Sequence, residues 1–112
     1  MASITSNVSY DTVAREWRMK WSGESDKASL SGLQDLLLSF ESKIKAVKGV
    51  KKVQRIVCGG CLDFKVIVAL DAADFGKWAE AKFAPEEEFL AAVGKVSGVS
   101  SVETQTYTIM DV

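Results

Sequence analysis

The sequence predicts one small α+β domain of βαββαβ order, with a four-stranded antiparallel sheet carrying its helices on one face. Three observations predict it. Several segments alternate apolar and polar residues at period two, as half-buried strands do. Others repeat apolar residues at helical spacing. A Gly59-Gly60 pair joins the two middle strands, which reads as a hairpin.

In chain order, residues 1–11 read as a flexible polar arm and residues 12–112 as a single domain. Val13, Arg15, Trp17, Met19 and Trp21 share one strand face, and Ala14, Glu16, Arg18 and Lys20 share the other. Ser22 to Ala28 is polar and reads as a loop. Ser31 and Gln34 fit a capping box, with Ser29 as an alternative cap. Leu33, Leu36, Leu37, Phe40, Ile44 and Val47 then make an amphipathic helix that Gly49 ends. Val50 to Cys58 is a second strand. After Gly59-Gly60, a turn expected to need positive φ, a third strand alternates Leu62, Phe64, Val66, Val68 and Leu70 with Asp63, Lys65, Ile67 and Ala69. Asp71 is positioned to cap the next helix, whose stripe is Phe75, Trp78, Ala79 and Phe83. Pro85 interrupts it, so the region is one kinked helix or two short ones, stopped by Gly98. Val102 to Met110 alternates as the last strand. This order and layering is the ferredoxin-like arrangement. Trp17, Trp21 and Trp78 are assigned to the core.

The chain has 112 residues, 47% hydrophobic and 26% charged, which suits one globular domain. Its net charge is −1, from 14 basic and 15 acidic residues, so it lacks the basic excess of a nucleic-acid binder. The run Lys43, Lys45, Lys48, Lys51, Lys52 and Arg55 reads as cations near a helix C-terminus rather than a phosphate patch. No apolar stretch approaches the ~20 residues of a membrane helix. Met1 to Tyr10 has neither a basic nor a long apolar segment, so no secretory signal is expected and the location is read as cytoplasmic. There is no histidine, which removes His-based zinc sites, proximal-His haem and Ser-His-Asp catalysis.

A sheet covered on one side leaves its other face bare, and a solvated face should be polar. Here that face holds Arg18, Lys20, Asp63, Lys65, Ile67, Glu103, Gln105, Tyr107 and Ile109. Apolar residues among charges point to an interface or cleft, and a homodimer or higher oligomer would cover it. Asp63 and Lys65, with Arg18, Lys20, Glu103 and Tyr107, form either a charged floor for a small zwitterion or acid, or a cross-strand ion network. Tyr107 and Asp63 are the acid or base available if catalysis occurs, provided desolvation shifts them. Cys58 and Cys61 lack the further ligands of a zinc site. They read as two free thiols, a switchable disulfide spanning about 5.5 Å at Cα, or metal ligands shared across a dimer. Glu86, Glu87 and Glu88 read as helix-start charge.

Three stretches carry a family resemblance: Gly49-Val50-Lys51-Lys52-Val53; Gly60-Cys61-Leu62-Asp63-Phe64, matching G-x-x-D; and Gly98-Val99 followed by Thr104-Gln105-Thr106-Tyr107-Thr108-Ile109-Met110. Through them the segment from Ala46 to Val112 resembles the ligand-binding (RAM) domain of the Lrp/AsnC family. The resemblance implies a ferredoxin-like fold paired into a dimeric α/β barrel, with Gly60 and Asp63 beside the effector-binding loop. No helix-turn-helix segment precedes the match, so it implies a stand-alone module. The second helical region is longer around Lys82 to Glu88, and two extra residues separate Gly98-Val99 from the Thr-x-Thr run. Antibiotic-biosynthesis-type monooxygenases, stress-responsive barrel proteins and polyketide cyclases share the barrel, and several rely on a histidine that this chain lacks.

The functional expectation is a non-catalytic dimeric module that binds a small molecule or builds an assembly, with Gly60, Asp63, Lys65, Arg18 and Tyr107 as ligand-binding residues and no cofactor or metal. The alternatives are a cofactor-independent barrel enzyme, monooxygenase- or cyclase-like, acting on a small hydrophobic substrate held among Trp17, Trp78, Phe83 and Tyr107, and a structural domain of a larger complex.

Overall fold

A computed structural model describes residues Met1–Val112. Its elements are β1 (Ala2–Thr5), β2 (Val8–Tyr10), β3 (Thr12–Lys20), α1 (Glu24–Lys45), β4 (Val50–Val57), β5 (Asp63–Asp71), α2 (Ala72–Glu80), α3 (Glu86–Val93) and β6 (Ser100–Ile109). Strands β3 to β6 form one antiparallel sheet in the order β4-β5-β3-β6. The helices cover one face of it, which is the ferredoxin-like α+β fold that the alternation and the helical stripes predict.

The period-two strands bury what their pattern says they should. Trp17, Met19, Phe64, Val66, Val68 and Leu70 face the helices and are fully buried against Leu33, Ile44, Phe89 and Val93. Trp17 packs on Phe89 with ring centroids 5.2 Å apart, and Phe40 meets Phe89 edge-on at 5.3 Å. A second aromatic group joins Phe75, Trp78 and Phe83, whose centroids lie 5.1 to 5.7 Å apart. All three tryptophans are core. Arg15 also points into this layer. Its Nε and Nη2 donate to the two Glu86 carboxylate oxygens at 2.7 and 3.3 Å, and its guanidinium lies 4.1 Å from the Phe83 centroid. Trp17 Nε1 donates to the same carboxylate at 2.7 Å. Glu86 is thus more than helix-start charge. It pins the first turn of α3 to the middle of β3.

Five local expectations need correction. Residues 1–11, read above as an arm, contain the hairpin β1–β2, in which Ala2 pairs with Tyr10 and Ser3 with Ser9. Its side chains are mostly exposed, so no apolar stripe announces it. The first helix does not start at a Ser31 cap. It begins at Glu24 through a left-handed turn at Ser25, Asp26 and Lys27. Ser29 fastens that turn: its hydroxyl accepts the Ser22 N–H at 2.9 Å and donates to the Ser22 carbonyl at 3.2 Å. Asp71 stands at the N-cap of α2 without capping it, since its carboxylate turns 3.3 Å from Lys51 Nζ instead. The proline region is two helices, with Pro85 at the N-cap of α3, and Gly94 rather than Gly98 caps its end. Gly59 and Gly60 do not supply positive φ. The left-handed residue of the β4–β5 connection is Leu62, at φ 62°, and the loop runs from Cys58 to Leu62. By contrast Gly49 is needed: its φ is +89°, and a Cβ there would sit 2.5 Å from the Asp74 side chain.

Candidate functional site

The face away from the helices is laid out in cross-strand rows, because opposite residues in antiparallel strands share a side. Running from β4 through β5 and β3 to β6, one row is Ile56, Lys65, Arg18 and Glu103. The next is Gln54, Ile67, Glu16 and Gln105, and the third is Lys52, Ala69, Ala14 and Tyr107. Beyond the first row, Asp63 pairs with Lys20; beyond the third, Asp71, Thr12 and Ile109 line up. Every residue assigned to this face from the sequence lies on it. Glu16, Gln54 and Lys52 complete it.

Its centre is dry for a face with nothing above it. Ala14 is 0%, Ala69 5%, Ile67 8% and Glu16 5% exposed. Ala14, Ile67 and Ala69 form a second apolar cluster, separate from the main core, with Tyr107 packed on it. Glu16 is held there by one donor and one cation: Tyr107 Oη donates to its carboxylate at 3.1 Å, and Arg18 Nη1 lies 3.6 Å away. Burial, then the neighbouring Glu16 carboxylate, pushes the Tyr107 hydroxyl up to about 12.

At the hairpin end the charges pair among themselves. Lys20 Nζ is 2.6 Å from Asp63 Oδ1, and Arg18 Nη2 is 2.6 Å from Glu103 Oε2. These groups, with Met19 and Ser101, line a recess of about 200 Å³. The hydrogen bond from Lys20 holds the Asp63 carboxyl below its ordinary range, and Lys65 and Arg18 add to this. At the opposite end Lys52, Gln54, Ala69, Ile109 and Met110 help to line a recess of about 300 Å³. Lys52 and Lys65 make no ion pair within 4.0 Å.

The structure therefore brings Arg18, Lys65 and Asp63 together, links Arg18 to Tyr107 through the Glu16 carboxylate, and sets Asp63 apart from Tyr107. Lys20, which pairs with Asp63, is six residues along β3 from Ala14, which pairs with Tyr107. That is a span of about 20 Å. Gly60 is exposed at the tip of the β4–β5 loop. Tyr107 and Asp63 are shifted away from neutrality in opposite directions, so neither is tuned to exchange a proton near pH 7. Trp17, Trp78 and Phe83 lie on the helix side, and Tyr107 does not join them. Cys58 and Cys61 are bonded to each other with Cα atoms 5.5 Å apart, which overturns the free-thiol reading. No group of three or more acidic, cysteine or histidine side chains is placed to hold a metal, and no helix is long and apolar enough to cross a membrane.

Sequence reasoning missed Glu16 as a site residue. Its position on the polar side of β3 was visible, but its partner Tyr107 is 91 residues away and comes beside it only through the β3–β6 register. Lys52 and Gln54 were missed because a bulge between Val50 and Lys52 resets the alternation of β4.

No family model and no curated protein matches the chain. Solved structures do. A monooxygenase from Streptomyces coelicolor in complex with the ligand nanaomycin D superposes with a TM-score of 0.68 at 13% identity, covering 92% of this chain and 90% of that one. SnoaB, a cofactor-independent oxygenase from Streptomyces nogalater, gives 0.61 at 15% identity over 91% and 96% of the two chains. Rv0793 from Mycobacterium tuberculosis gives 0.61 at 15% identity over 89% and 96%. The first two are a monooxygenase and an oxygenase, not Lrp/AsnC domains, and at such identities what this chain shares with all three is the fold.

Proposed function

We propose that this chain is a self-associating module of the α/β-barrel type: two copies pack their open sheet faces together, and the enclosed floor receives a small acid or zwitterion without transforming it. The observation that carries this is the apolar surface left open on the outer side of a sheet with no second layer: Ile56 and Ile109 stand 44% and 37% exposed around the already covered cluster of Ala14, Ile67, Ala69 and Tyr107. Apolar area on such a face is stabilising only when something covers it. Four strands about 4.8 Å apart and about nine residues long make a face of roughly 600 Å² in plan. With side-chain relief this approaches the ~800 Å² that each partner gives to a standard interface. Exposed Ile56 and Ile109 extend the apolar surface to the outer strands, and Ile4 and Val8 of the β1–β2 hairpin add unpartnered apolar side chains. The unpaired Lys52 and Lys65 are the cations available to a bound carboxylate. In this role the chain would resemble a stand-alone Lrp/AsnC-type ligand domain.

The rival is a cofactor-independent oxygenase, favoured by what two of the structural neighbours are. It needs a cavity between sheet and helices. In this chain that layer is filled by Trp17, Phe64, Phe89, Met19 and Leu33, all fully buried or nearly so.

Ile56→Lys and Ile109→Lys place charges on the face at positions 44% and 37% exposed in the single chain, so each leaves the protomer folded. Light scattering should read half the native mass for either variant at micromolar concentration, with unchanged circular dichroism. A thermal-shift screen of amino acids and small carboxylic acids should stabilise the native protein. Native mass in both variants would reject the interface, and a flat screen would reject the ligand.

A further inference from the structure

We propose that the Cys58–Cys61 bond is a thiol–disulfide exchange centre, opened and closed by soluble thiols and disulfides while the fold stays intact, with Cys58 as the sulfur that carries negative charge. The proposal is independent of self-association. It rests on three features of the β4–β5 loop.

The bond is accessible: Cys61 is exposed and Cys58 half-buried. It is also redundant for the fold. The loop is already closed by Cys58 N–H donating to the Asp63 carbonyl at 3.0 Å and Trp21 N–H donating to the Leu62 carbonyl at 2.9 Å. The cross-link spans a sequence separation of three, and the entropy that a disulfide removes from the unfolded chain is smallest for such short loops.

The two sulfurs are not equivalent. The Cys61 backbone N–H donates to Cys58 Sγ at 3.1 Å, an arrangement that favours charge on Cys58. Asp63 Oδ2 lies 3.3 Å from Cys61 Sγ. A carboxylate there opposes a thiolate and accepts the S–H of a thiol. Lys20, 2.6 Å from the other Asp63 oxygen, keeps that carboxylate ionised.

The chemistry follows from this asymmetry. The thiolate of a low-molecular-weight thiol attacks the exposed Cys61 sulfur. The S–S bond breaks, its electron pair leaves on Cys58, and a mixed disulfide forms at Cys61. A second thiolate attacks the small-molecule sulfur of that mixed disulfide. It releases Cys61, which takes up a proton from solvent and keeps it, its S–H hydrogen-bonded to the Asp63 carboxylate, while Cys58 is protonated from solvent according to pH. Two thiols have become one small disulfide, and the protein disulfide has become two thiols. In reverse, Cys61, deprotonated, attacks an incoming small disulfide and expels one small thiolate, and the Cys58 thiolate then attacks the Cys61 sulfur and expels the other.

The test uses the full chain equilibrated in glutathione and glutathione disulfide at several ratios, acid-quenched, alkylated and weighed by mass spectrometry. The oxidised fraction should move reversibly with the ratio while far-ultraviolet circular dichroism stays constant. Brief iodoacetamide labelling at pH 7 should modify the single thiol of Cys61→Ser about tenfold faster than that of Cys58→Ser, since rate follows thiolate fraction. Asp63→Asn in the Cys58→Ser background should narrow that gap. A bond that stays closed in a large excess of reduced glutathione, a reduced chain that loses its sheet signal, or equal or inverted labelling rates would each overturn the proposal.

Discussion

Glu86 shows how much one side chain does in a core this small. Its carboxylate receives two donors from Arg15 and one from Trp17, and all three groups are largely shielded from water. Removing the carboxylate leaves the indole N–H without a partner and the guanidinium without its counter-charge, held only by the Thr106 and Thr104 hydroxyls at 2.9 and 3.0 Å. Glu86→Ala is therefore expected to cost about 3 kcal/mol, read by urea denaturation as a lower midpoint at an unchanged slope. A loss near zero would mean that water already serves Arg15. The sequence did not show this. Glu86 looked like one of three acids at a helix start, and its partner is 71 residues away. Arg18, Asp63 and Lys65 were legible as residues of the open face because face membership follows from parity along a strand, and parity needs no long-range information. Tyr107 and Asp63 were legible as titratable groups on that face, but the direction of each shift depends on neighbours that only the register supplies.

Elements repeat the lesson at a larger scale. The stripe of α1 and the alternation of β3, β5 and β6 were readable because each is a local pattern serving one buried face. The β1–β2 hairpin was not, since its strands bury little and carry no stripe. The β4–β5 loop was mistaken for a tight glycine turn. Its geometry is set instead by a left-handed Leu62 and by the backbone hydrogen bonds that tie Cys58 to Asp63 and Trp21 to Leu62. The edge strand β6 is exposed along nearly its whole length, and Tyr107 is its least exposed residue and its anchor to β3. Tyr107→Phe removes the hydroxyl that serves the buried Glu16 carboxylate and should cost about 1–3 kcal/mol. The pH dependence fixes the sign. The Tyr107 hydroxyl titrates higher in the fold, about 12, than its ordinary value of 10.0, so the folded state holds this proton more tightly than the unfolded chain. Its contribution is complete below pH 10 and is lost as pH rises toward 12. Alkaline unfolding should thus be steeper for the native protein than for Tyr107→Phe in that interval, and equal slopes would remove Tyr107 from the account.

The whole molecule carries more surface than its size calls for. Its radius of gyration is 15.0 Å, where a compact domain of this length would have roughly 13 Å. Its accessible surface is 6666 Å², against about 6,100 Å² for a typical monomer of this mass. The excess fits a sheet with one layer of helices, an exposed hairpin and an outer face that keeps an apolar centre. Partnership with a second copy is the claim on which the proposed function stands. Sedimentation velocity across a dilution series, from tens of micromolar to nanomolar, tests it most directly. The account predicts a species of twice the 12.2 kDa chain mass at the upper end, giving way to single chains on dilution. A lone 12.2 kDa species at every concentration would contradict it.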